Sequence, residues 1–371
     1  MRKAIVNWYE RYERHISSLA LIGGFVFDAL YLTRIDLFWE NVWVLSHLLV
    51  AGMGILALNY YFHRTKNPGE EYRVYSVQFW LIFIIQFAFG GLLSTFLVFY
   101  FRSGTLSTSW PFLLLLAGAF VGNEAFKKHY ARLSYQVSVL FLSFFSFMIF
   151  IVPVILHQMG DRVFVYSGFL SLAFIYVFVS ILRLISYKHV LGNIKTIRLS
   201  IISIYIVINF LYFANLIPPI PLSLKEAGVY HDITRNIAGN YDALEEVGSW
   251  TDFFVQYKPI HLIPGKPVYV YSAIFSPAEL NVNLTHEWQK YDERNKGPDA
   301  TAGAGWSTIE RIAIHIVGGR DGGYRTYSYI SGVTAGLWRV NVLTPQGLLV
   351  GRIEFKAEET KTLPVLINRE I

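Results

Sequence analysis

The sequence predicts a membrane bundle of about seven transmembrane α-helices, followed by an all-β domain of the immunoglobulin-like sandwich type. Three observations lead to this prediction. The composition is strongly apolar, the longest apolar runs lie before residue 218, and residues from about 267 onward alternate between apolar and polar side chains. Runs of about 20 apolar residues are typical of membrane spans, whereas period-two alternation is typical of half-buried strands.

The composition favours a membrane as the solvent of the first part of the chain. Of the 371 residues, 54% are hydrophobic and only 16% are charged, and the mean hydropathy is +0.40. Soluble domains usually contain about 45–50% apolar and about 25% charged residues. The chain has no cysteine, which excludes disulfides, thiol nucleophiles and cysteine-ligated metal sites.

Seven segments of residues 1–217 are long and apolar enough to cross a bilayer as helices. Each is too uniformly apolar for the one-sided stripe of a soluble helix. Pro218, Pro219 and Pro221 follow the last segment and would end it. The predicted spans are 16–33, 41–61, 76–101, 109–126, 135–156, 163–183 and 198–217.

The lysine and arginine residues between the predicted spans indicate the orientation. The N-terminal segment and every second loop after it carry 14 basic residues together, whereas the intervening loops carry three. Basic residues accumulate on the cytoplasmic side of a membrane, so we expect a cytoplasmic N-terminus and an extracytoplasmic C-terminal domain. Residues 1–217 have a net charge of +8 and residues 218–371 have a net charge of −2. The excess of basic residues is therefore explained by the orientation in the membrane, and the charge pattern indicates no nucleic-acid partner.

Two ionisable residues lie within predicted spans. Asp28 and His47 are each about six residues from the outer end of their span, and antiparallel neighbours would place them at similar depth. Ionisable groups are costly inside a membrane and are candidates for function. The pair could close a helix hairpin as a structural contact, or it could form a proton relay or ion site, and the sequence leaves both interpretations open.

The sequence divides the outer part into a juxtamembrane linker at 218–250, a β domain at 251–358 and a tail at 359–371. The linker could include a short helix. In its clearest alternating run, His286 and Trp288 share an apolar face, while Glu287 and Gln289 share the opposite one. Six or seven such strands over about 100 residues favour an immunoglobulin-like sandwich. On the apolar face, His286 is expected to be a core histidine with satisfied hydrogen bonds.

The glycine-rich stretch GGRDGGYR at 318–325 looks at first like a phosphate-binding loop. Such a loop needs a helix behind it, and the residues after this one alternate like a strand. We therefore expect the glycines to supply positive φ in a tight connection between strands. The connection would expose Arg320 and Asp321 at its tip, and with Tyr324 and Arg325 they are the candidate ligand-binding residues.

The sequence contains no motif of a known catalytic, nucleotide-binding or zinc-protease type. The outer histidines are scattered, without the close spacing of metal ligands. We therefore expect no catalytic residues, no metal and no cofactor.

Several short motifs of the outer part resemble a bacterial family of unknown function, number 2914 in the series of such domains. The similarity covers roughly residues 250–357, and the stretch at 221–231 looks like the segment that joins this domain to a multi-span region in similar bacterial proteins. The resemblance implies architecture and location, and it transfers no chemistry. The motifs are PVY at 267–269, THEWQ at 285–289, GGRDGGYR at 318–325, GLWRV at 336–340 and GRIEF at 351–355.

The leading functional prediction is a non-enzymatic, multi-pass protein of the bacterial cytoplasmic (inner) membrane. It would lie in the lipid bilayer and present its outer domain to an envelope glycan, an envelope polymer or a protein partner. A transporter or channel subunit with an accessory outer domain is an alternative. A membrane enzyme acting on lipid-linked substrates is less favoured.

Overall fold

The chain forms a helical unit and a β unit, and the boundary between them falls at Ile217 and Pro218. The computed structural model describes residues 22–32, 36–64, 71–103, 106–125, 132–219, 221–237, 240–247, 257–263, 265–277, 280–292, 305–318, 322–360 and 364–371.

The described part of the helical unit contains seven helices, and five of them are long and apolar enough to cross a membrane. The other two, α1 and α4, have shorter apolar stretches in the described residues. The helices are α1 (Ile22–Tyr31), α2 (Phe38–Arg64), α3 (Glu71–Ser103), α4 (Leu106–Ala125), α5 (Leu133–Leu156), α6 (Asp161–Ile185) and α7 (Tyr187–Phe213).

The last helix differs most from its predicted bounds. It was expected at 198–217, but α7 begins at Tyr187, after a break at Ser186. Apolar runs locate only the apolar part of a helix, and the first turns of α7 mix basic with apolar residues and are helical all the same. Lys188 and Lys195, which the sequence placed in a loop, therefore lie on a helix.

Helix α5 lies at the centre of the helical unit and packs against α2, α6 and α7. Its buried side chains include Phe141, Phe145 and Phe150, each without measurable exposure. Phe145 stacks on Tyr205 of α7, with ring centroids 5.7 Å apart. Aromatic side chains therefore fill the space between these helices.

Large apolar side chains also cover the outside of the helical unit. Trp39 is 77% exposed, Tyr176 75% and Leu184 88%. Exposed apolar patches of this extent are rare on soluble monomers and mark contact with a partner or a lipid phase.

Eleven strands make up the described part of the β unit, and they form three sheets. The strands are β1 (Ser223–Tyr230), β2 (Asp232–Arg235), β3 (Tyr241–Glu246), β4 (Lys258–Leu262), β5 (Val268–Phe275), β6 (Asn281–Tyr291), β7 (Trp306–Val317), β8 (Tyr324–Ile330), β9 (Gly336–Leu343), β10 (Leu349–Glu359) and β11 (Leu366–Glu370).

One sheet has the order β1-β5-β8 and another the order β4-β10-β9-β6-β7. All neighbours in these sheets are antiparallel except β4 and β10, which are parallel. The third sheet has the order β11-β3-β2 and is antiparallel throughout.

The sheet β1-β5-β8 is buried on both faces. On one face, Ser272 of β5 bonds to His286 of β6 in the five-stranded sheet. On the other face, Tyr271 and Ala273 pack against Ile233 and Ala243 of the third sheet. The two neighbouring sheets thus bury opposite faces of β5, which explains why nearly every residue of this strand is buried.

The segment assigned to a linker and the segment assigned to a tail both form strands, which corrects those two predictions. Residues 223–246 contain β1, β2 and β3, and residues 366–370 form β11. These strands are short and polar on one face, and their partners are distant in sequence: β1 pairs with β5, and β11 with β3. The amino-acid composition of these segments is similar to that of a linker, because a strand is stabilised by pairing with a segment that is distant in sequence and its own residues show little of this.

Candidate functional site

The face of the five-stranded sheet that points away from β1-β5-β8 carries a dense group of polar side chains with two aromatic rings. We call it the polar sheet face. It forms because alternate residues of four neighbouring strands point to the same side. Its members are Glu287, Gln289 and Tyr291 of β6, Trp306, Thr308 and Arg311 of β7, Arg339 and Asn341 of β9, and Arg352 and Glu354 of β10.

A buried carboxylate, that of Glu287, lies at the centre of this face with only 2% exposure. Arg311 approaches its Oε1 through Nε at 2.8 Å and through Nη2 at 2.7 Å. Gln289 Nε2 donates to Oε2 at 2.8 Å, and Asn341 Nδ2 donates to the same oxygen at 3.3 Å. Because a buried charge needs a partner and hydrogen bonds, these contacts hold the carboxylate group in a fixed position.

Two guanidinium groups are held next to this centre. Arg339 Nε donates to Gln289 Oε1 at 2.6 Å, and Arg352 Nε donates to Asn341 Oδ1 at 2.7 Å. Burial lowers the pKa of Arg339 to about 10, and the neighbouring charge of Arg352 adds to this effect. Burial likewise lowers the pKa of Arg352. An anion bound beside them would relieve the cost of both positive charges.

Aromatic rings complete one corner of the face. The Cζ atom of Arg339 lies 4.2 Å from the centroid of the Trp306 ring, within the range of a cation–π contact. The Trp306 ring meets Tyr291 edge to face, with centroids 5.3 Å apart. The corner thus combines a flat apolar surface with a fixed cation and amide groups.

Sequence reasoning missed this site, although part of its signal was present. The alternation of β6 correctly placed Glu287 and Gln289 on the face opposite to the core, but that face was expected to be solvated. The structure buries both residues. Their partners come from β7 and β9, and a bulge between Trp288 and Gln289 sets the register with β7. Neither the partners nor the bulge can be read from β6 alone.

The glycine-rich connection joins two strands, β7 and β8, as predicted. Two of its glycines are required for different structural reasons. A Cβ at Gly318 would lie 1.8 Å from the carbonyl oxygen of Pro277, and Gly323 has a φ of +86°. The first glycine therefore permits a close approach of two backbones, and the second permits a left-handed conformation.

The candidate binding residues of this connection divide into two groups. Arg320 and Asp321 lie outside the described residues. Tyr324 is the first residue of β8 and is partly buried. Arg325 donates from Nη1 to Asn240 Oδ1 at 2.8 Å and to the carbonyl oxygen of Ile371 at 3.3 Å. These contacts join β8 to the ends of the third sheet, so the observed role of Arg325 is structural.

The core position predicted for His286 is confirmed. The ring is fully buried, and its nitrogens lie 2.9 Å from Ser272 Oγ and 2.8 Å from Ser328 Oγ. Trp288 Nε1 also donates to Ser328 Oγ at 3.0 Å. These bonds connect β6 to β5 and β8, and burial lowers the pKa of His286 to about 4, so the ring is neutral at physiological pH.

Two other histidines, which appeared scattered in the sequence, meet at one carboxylate. His231 Nε2 lies 2.8 Å from Glu246 Oε1, and His261 Nδ1 lies 2.7 Å from Oε2. The backbone N–H of His261 also donates to Oε1. Burial alone would raise the pKa of Glu246, but these hydrogen bonds outweigh it and lower the pKa. In the described part of the chain, no cluster of three or more histidine and acidic side chains has the geometry to hold a metal ion.

The predicted intramembrane pair is buried in the helical unit. Asp28 of α1 is 5% exposed and His47 of α2 is 8% exposed. The two side chains interact electrostatically, and Ser94 of α3 lies beside the carboxylate.

Comparison with known proteins gives one family. Residues 281–357 match the family described as "Protein of unknown function (DUF2914)". This range runs from the start of β6 into β10 and therefore contains every residue of the polar sheet face. It agrees with the resemblance seen in the sequence motifs. No curated protein matches the chain.

Among solved structures, the chain is similar to a Pseudomonas fluorescens alkylpurine DNA glycosylase, AlkC, bound to DNA containing an abasic site analog. The identity is 10%, the alignment covers 86% of this chain and 98% of the other, and the TM-score is 0.21. A TM-score of this size does not indicate a shared fold.

Proposed function

We propose that this chain is a multi-pass protein of the bacterial cytoplasmic membrane whose β unit lies outside the cytoplasm and binds an acidic envelope glycan at the polar sheet face. The observation that carries the proposal is the corner where Arg339 stacks on Trp306. A sugar ring has an apolar face and a rim of hydroxyl groups, and an acidic sugar adds a negative charge. The corner offers an aromatic surface, amide groups and a cation at these places.

The membrane location is supported by the helical unit. Five of its helices are long and apolar enough to cross a membrane, and large apolar side chains cover their outer surfaces. The basic residues follow the alternation expected of a cytoplasmic N-terminus. A lipid bilayer would cover the exposed apolar side chains, and the orientation would leave the β unit outside.

The order of the strands supports an immunoglobulin-like sandwich in the β unit. Such sandwiches have B and E in one sheet and C, F and G in the other. We assign β5 and β8 to B and E, and β6, β9 and β10 to C, F and G. Trp288 on β6 is fully buried and lies where these domains have a core tryptophan on strand C. The polar sheet face is then the outer face of the C-F-G sheet.

The acidic character of the ligand follows from charge. Arg339 is buried, Arg352 is partly buried, and the positive charge of Arg352 acts on Arg339. Glu287 is already paired with Arg311, so its negative charge only partly compensates the positive charges of Arg339 and Arg352. The arginines of this face, Arg311, Arg339 and Arg352, outnumber its two carboxylates, Glu287 and Glu354, so the face has one excess positive charge. A carboxylate or phosphate of a glycan would compensate this excess, whereas a neutral glycan would not.

A transporter remains a second candidate because of one observation. Asp28 and His47 interact inside the helical unit, where ionisable groups are costly. Such pairs occur on ion and proton pathways.

The binding proposal can be tested with the full chain in lipid nanodiscs. The probes are oligogalacturonate, which carries carboxylates, and a neutral dextran of similar length. We expect oligogalacturonate to bind and dextran to bind much more weakly. Trp306→Ala and Arg339→Gln should each weaken the binding of the acidic probe at least about tenfold, whereas Trp306→Phe should retain most of it.

Matched controls separate a local effect from a general one. Arg369→Gln removes an arginine of β11 that is about half exposed, and it should bind like the wild type. Equal affinities for the wild type, Trp306→Ala and Arg339→Gln would exclude the polar sheet face. Equal binding of both probes would exclude the acidic class. Capture of a protein by an intact polar sheet face without either probe binding would favour a protein partner instead.

A further inference from the structure

Helix α7 has one exposed face and one buried face along its length. The buried face contains Val190, Ile197 and Ile208. On the opposite side, exposed residues recur at intervals of three, four or seven positions, which places them in one row along the helix. The exposed row contains Lys188, Lys195, Arg198, Ile202, Ile206 and Phe210. Its first three members are cations, and the others are apolar.

The exposed row continues from an apolar part into a basic part. Ile202 and Phe210 are 54% and 67% exposed, so in a bilayer this face would contact lipid chains. Arg198 and Lys188 lie 15 and 25 residues before the end of α7 at Phe213. At 1.5 Å per residue these distances are about 22 and 37 Å, and the hydrocarbon core of a bilayer is about 30 Å thick. The cations therefore lie around the limit of the hydrocarbon core, where their long side chains reach the lipid headgroups.

Helix α6 adds a fourth cation next to the first turn of α7. The two helices are separated only by Ser186. They run antiparallel, since Tyr212 near the end of α7 donates a hydrogen bond to Asp161 at the start of α6, at 3.2 Å. Arg183 in the last turn of α6 is exposed, and its Cζ lies 5.2 Å from the ring centroid of Tyr187. This cation–π contact holds the guanidinium beside the basic part of the row.

The helices around these four cations offer them no acidic partner. The sequence has no aspartate or glutamate between Asp161, the first residue of α6, and Glu226. Helix α5 packs on α6 and α7 and has no charged residue. Helix α2 also packs on α6, but its acidic residue, Glu40, lies about 18 Å along the helix from Gly52, which lies against Phe178 of α6. In the described parts of these helices no carboxylate is paired with the four cations, so charge complementarity favours an anionic partner.

We propose that Arg183, Lys188, Lys195 and Arg198 form a binding site for the headgroups of anionic phospholipids in the cytoplasmic leaflet. Their ammonium and guanidinium groups donate hydrogen bonds to the lipid phosphate, and the lipid chains follow the apolar part of the row. Leu191 is 49% exposed between the two lysines, and this apolar contact favours a lipid over a free phosphate ion. Clusters of about four or more basic residues beside a membrane span attract anionic lipids.

Native mass spectrometry of the full chain in detergent micelles tests this site. The micelles contain equal amounts of phosphatidylglycerol, which is anionic, and phosphatidylcholine, which has no net charge. We expect the wild type to retain phosphatidylglycerol at least about tenfold more than phosphatidylcholine. The triple variant Lys188→Gln, Lys195→Gln, Arg198→Gln should lose most of this preference. Arg183→Gln should lower it by a smaller factor, because it removes one cation of the four.

A matched control removes the same charges elsewhere. The triple variant Lys266→Gln, Lys356→Gln, Arg369→Gln loses two lysines and one arginine from exposed positions of the β unit, and it should keep the wild-type preference. The conservative variant Lys188→Arg, Lys195→Arg keeps the charges of the site and should also keep it. Unfolding midpoints in phosphatidylcholine alone should match the wild type for every variant, so a lost preference reports lipid binding and not loss of the fold.

The possible outcomes separate the lipid site from its alternatives. An unchanged preference in the triple variant of α7 would overturn the site, and so would an equal loss in the control variant, because net charge alone would then explain the binding. Displacement of phosphatidylglycerol by inorganic phosphate would assign the cations to a free anion instead. The proposal rests on the proposed membrane location of the helical unit and is independent of glycan binding. A chain that stays in solution without detergent would refute that location, whereas a chain that needs detergent but shows no lipid preference would refute only the lipid site.

Discussion

Arg339 and Trp306 stack on each other although their strands are not neighbours. Arg339 belongs to β9 and Trp306 to β7, and β6 lies between them. The guanidinium reaches across Gln289 of β6, to which it donates a hydrogen bond, and its Cζ lies 4.2 Å from the ring centroid. A partly desolvated cation–π contact is worth roughly 1–2 kcal/mol. The contact therefore fixes the arginine in place before any ligand binds, which lowers the entropic cost of binding.

The first prediction separates two glycines of the same connection. Gly318→Ala would place a Cβ 1.8 Å from the carbonyl oxygen of Pro277, and backbone atoms cannot give way cheaply. Gly322 has open space around its Cβ position and no positive φ. Gly318→Ala should destabilise the β unit by more than about 3 kcal/mol, and Gly322→Ala by less than about 1 kcal/mol. Pulse proteolysis in urea measures both, and equal effects would contradict the geometry.

The second prediction concerns acid stability and His286. An unfolded histidine takes up a proton at about pH 6.5, whereas the buried ring does so only near its lowered pKa of about 4. The unfolded state therefore binds more protons between these values, and stability falls as the pH falls through this window. The loss amounts to roughly 3 kcal/mol.

His286→Gln keeps a polar side chain and removes the titration. Its stability should depend less on pH between 6.5 and 4 than that of the wild type, although carboxylates contribute a common background. His315→Gln removes an exposed histidine of β7 that bonds to Asn283 and should retain the full wild-type slope. Equal slopes for the wild type and His286→Gln, measured by urea unfolding at several pH values, would show that the ring is not held neutral.

The third prediction concerns Glu246, which ties His231 and His261 together. Its pKa is lowered because hydrogen bonds from both histidines outweigh the effect of burial. A lowered carboxylate pKa contributes stability that is present above about pH 4.5 and is lost as the pH falls through the folded value. Glu246→Gln should cost about 1.5–3 kcal/mol at pH 7 and less at pH 3.

The exposed pair of Lys356 and Glu358 provides the control for this change. Glu358→Gln should cost less than about 0.5 kcal/mol, because exposed ion pairs contribute little. A cost for Glu246→Gln as small as this control would mean that the two histidines are held by packing alone.

The fourth prediction tests the orientation of the helical unit. The chain has no cysteine, so single cysteines can be placed without background. Gln158→Cys and Ser331→Cys are exposed positions on the side expected to be extracytoplasmic, and Lys188→Cys is exposed on the side expected to be cytoplasmic. An impermeant maleimide should label the first two in cells with a permeable outer layer and label Lys188→Cys only after lysis. The reverse pattern would invert the topology.

Sequence patterns predicted local order better than contacts between distant segments. Apolar runs predicted the helices because a helix forms its backbone hydrogen bonds within one segment and can be recognised from that segment alone. The alternation in β6 correctly placed His286 and Trp288 in the core. In contrast, β1 and β11 were missed because each is a strand only through its partner.

The candidate sites show the same difference. Asp28 and His47 were predicted as a candidate pair because an ionisable residue in an apolar run is conspicuous by itself. The polar sheet face was not found, because Arg339 and Trp306 acquire their relation only when three strands are in register. The same holds for His231 and His261, which meet only at Glu246 of another strand.

The last prediction concerns which fragment of the β unit folds alone. A fragment from Asp252 to Glu358 follows the domain bounds expected from sequence, but it lacks β1, β2, β3 and β11. It would expose Tyr271 and Ala273, which the third sheet covers, and it would leave one edge of β5 unpaired. We expect this fragment to aggregate or to unfold, since exposed apolar faces and open edges favour association.

A fragment from Pro221 to Ile371 retains all eleven strands and should be soluble, with a β-type circular dichroism spectrum and cooperative unfolding. Within it, Trp338→Ala should cost about 3–5 kcal/mol, because this side chain is only 3% exposed and stacks on Phe355. Arg325→Gln should also destabilise it, by about 1–3 kcal/mol, since it breaks the bonds to Asn240 and Ile371. Cooperative folding of the shorter fragment with the same unfolding midpoint would show that the third sheet is dispensable, because its burial of Tyr271 would then contribute nothing to stability.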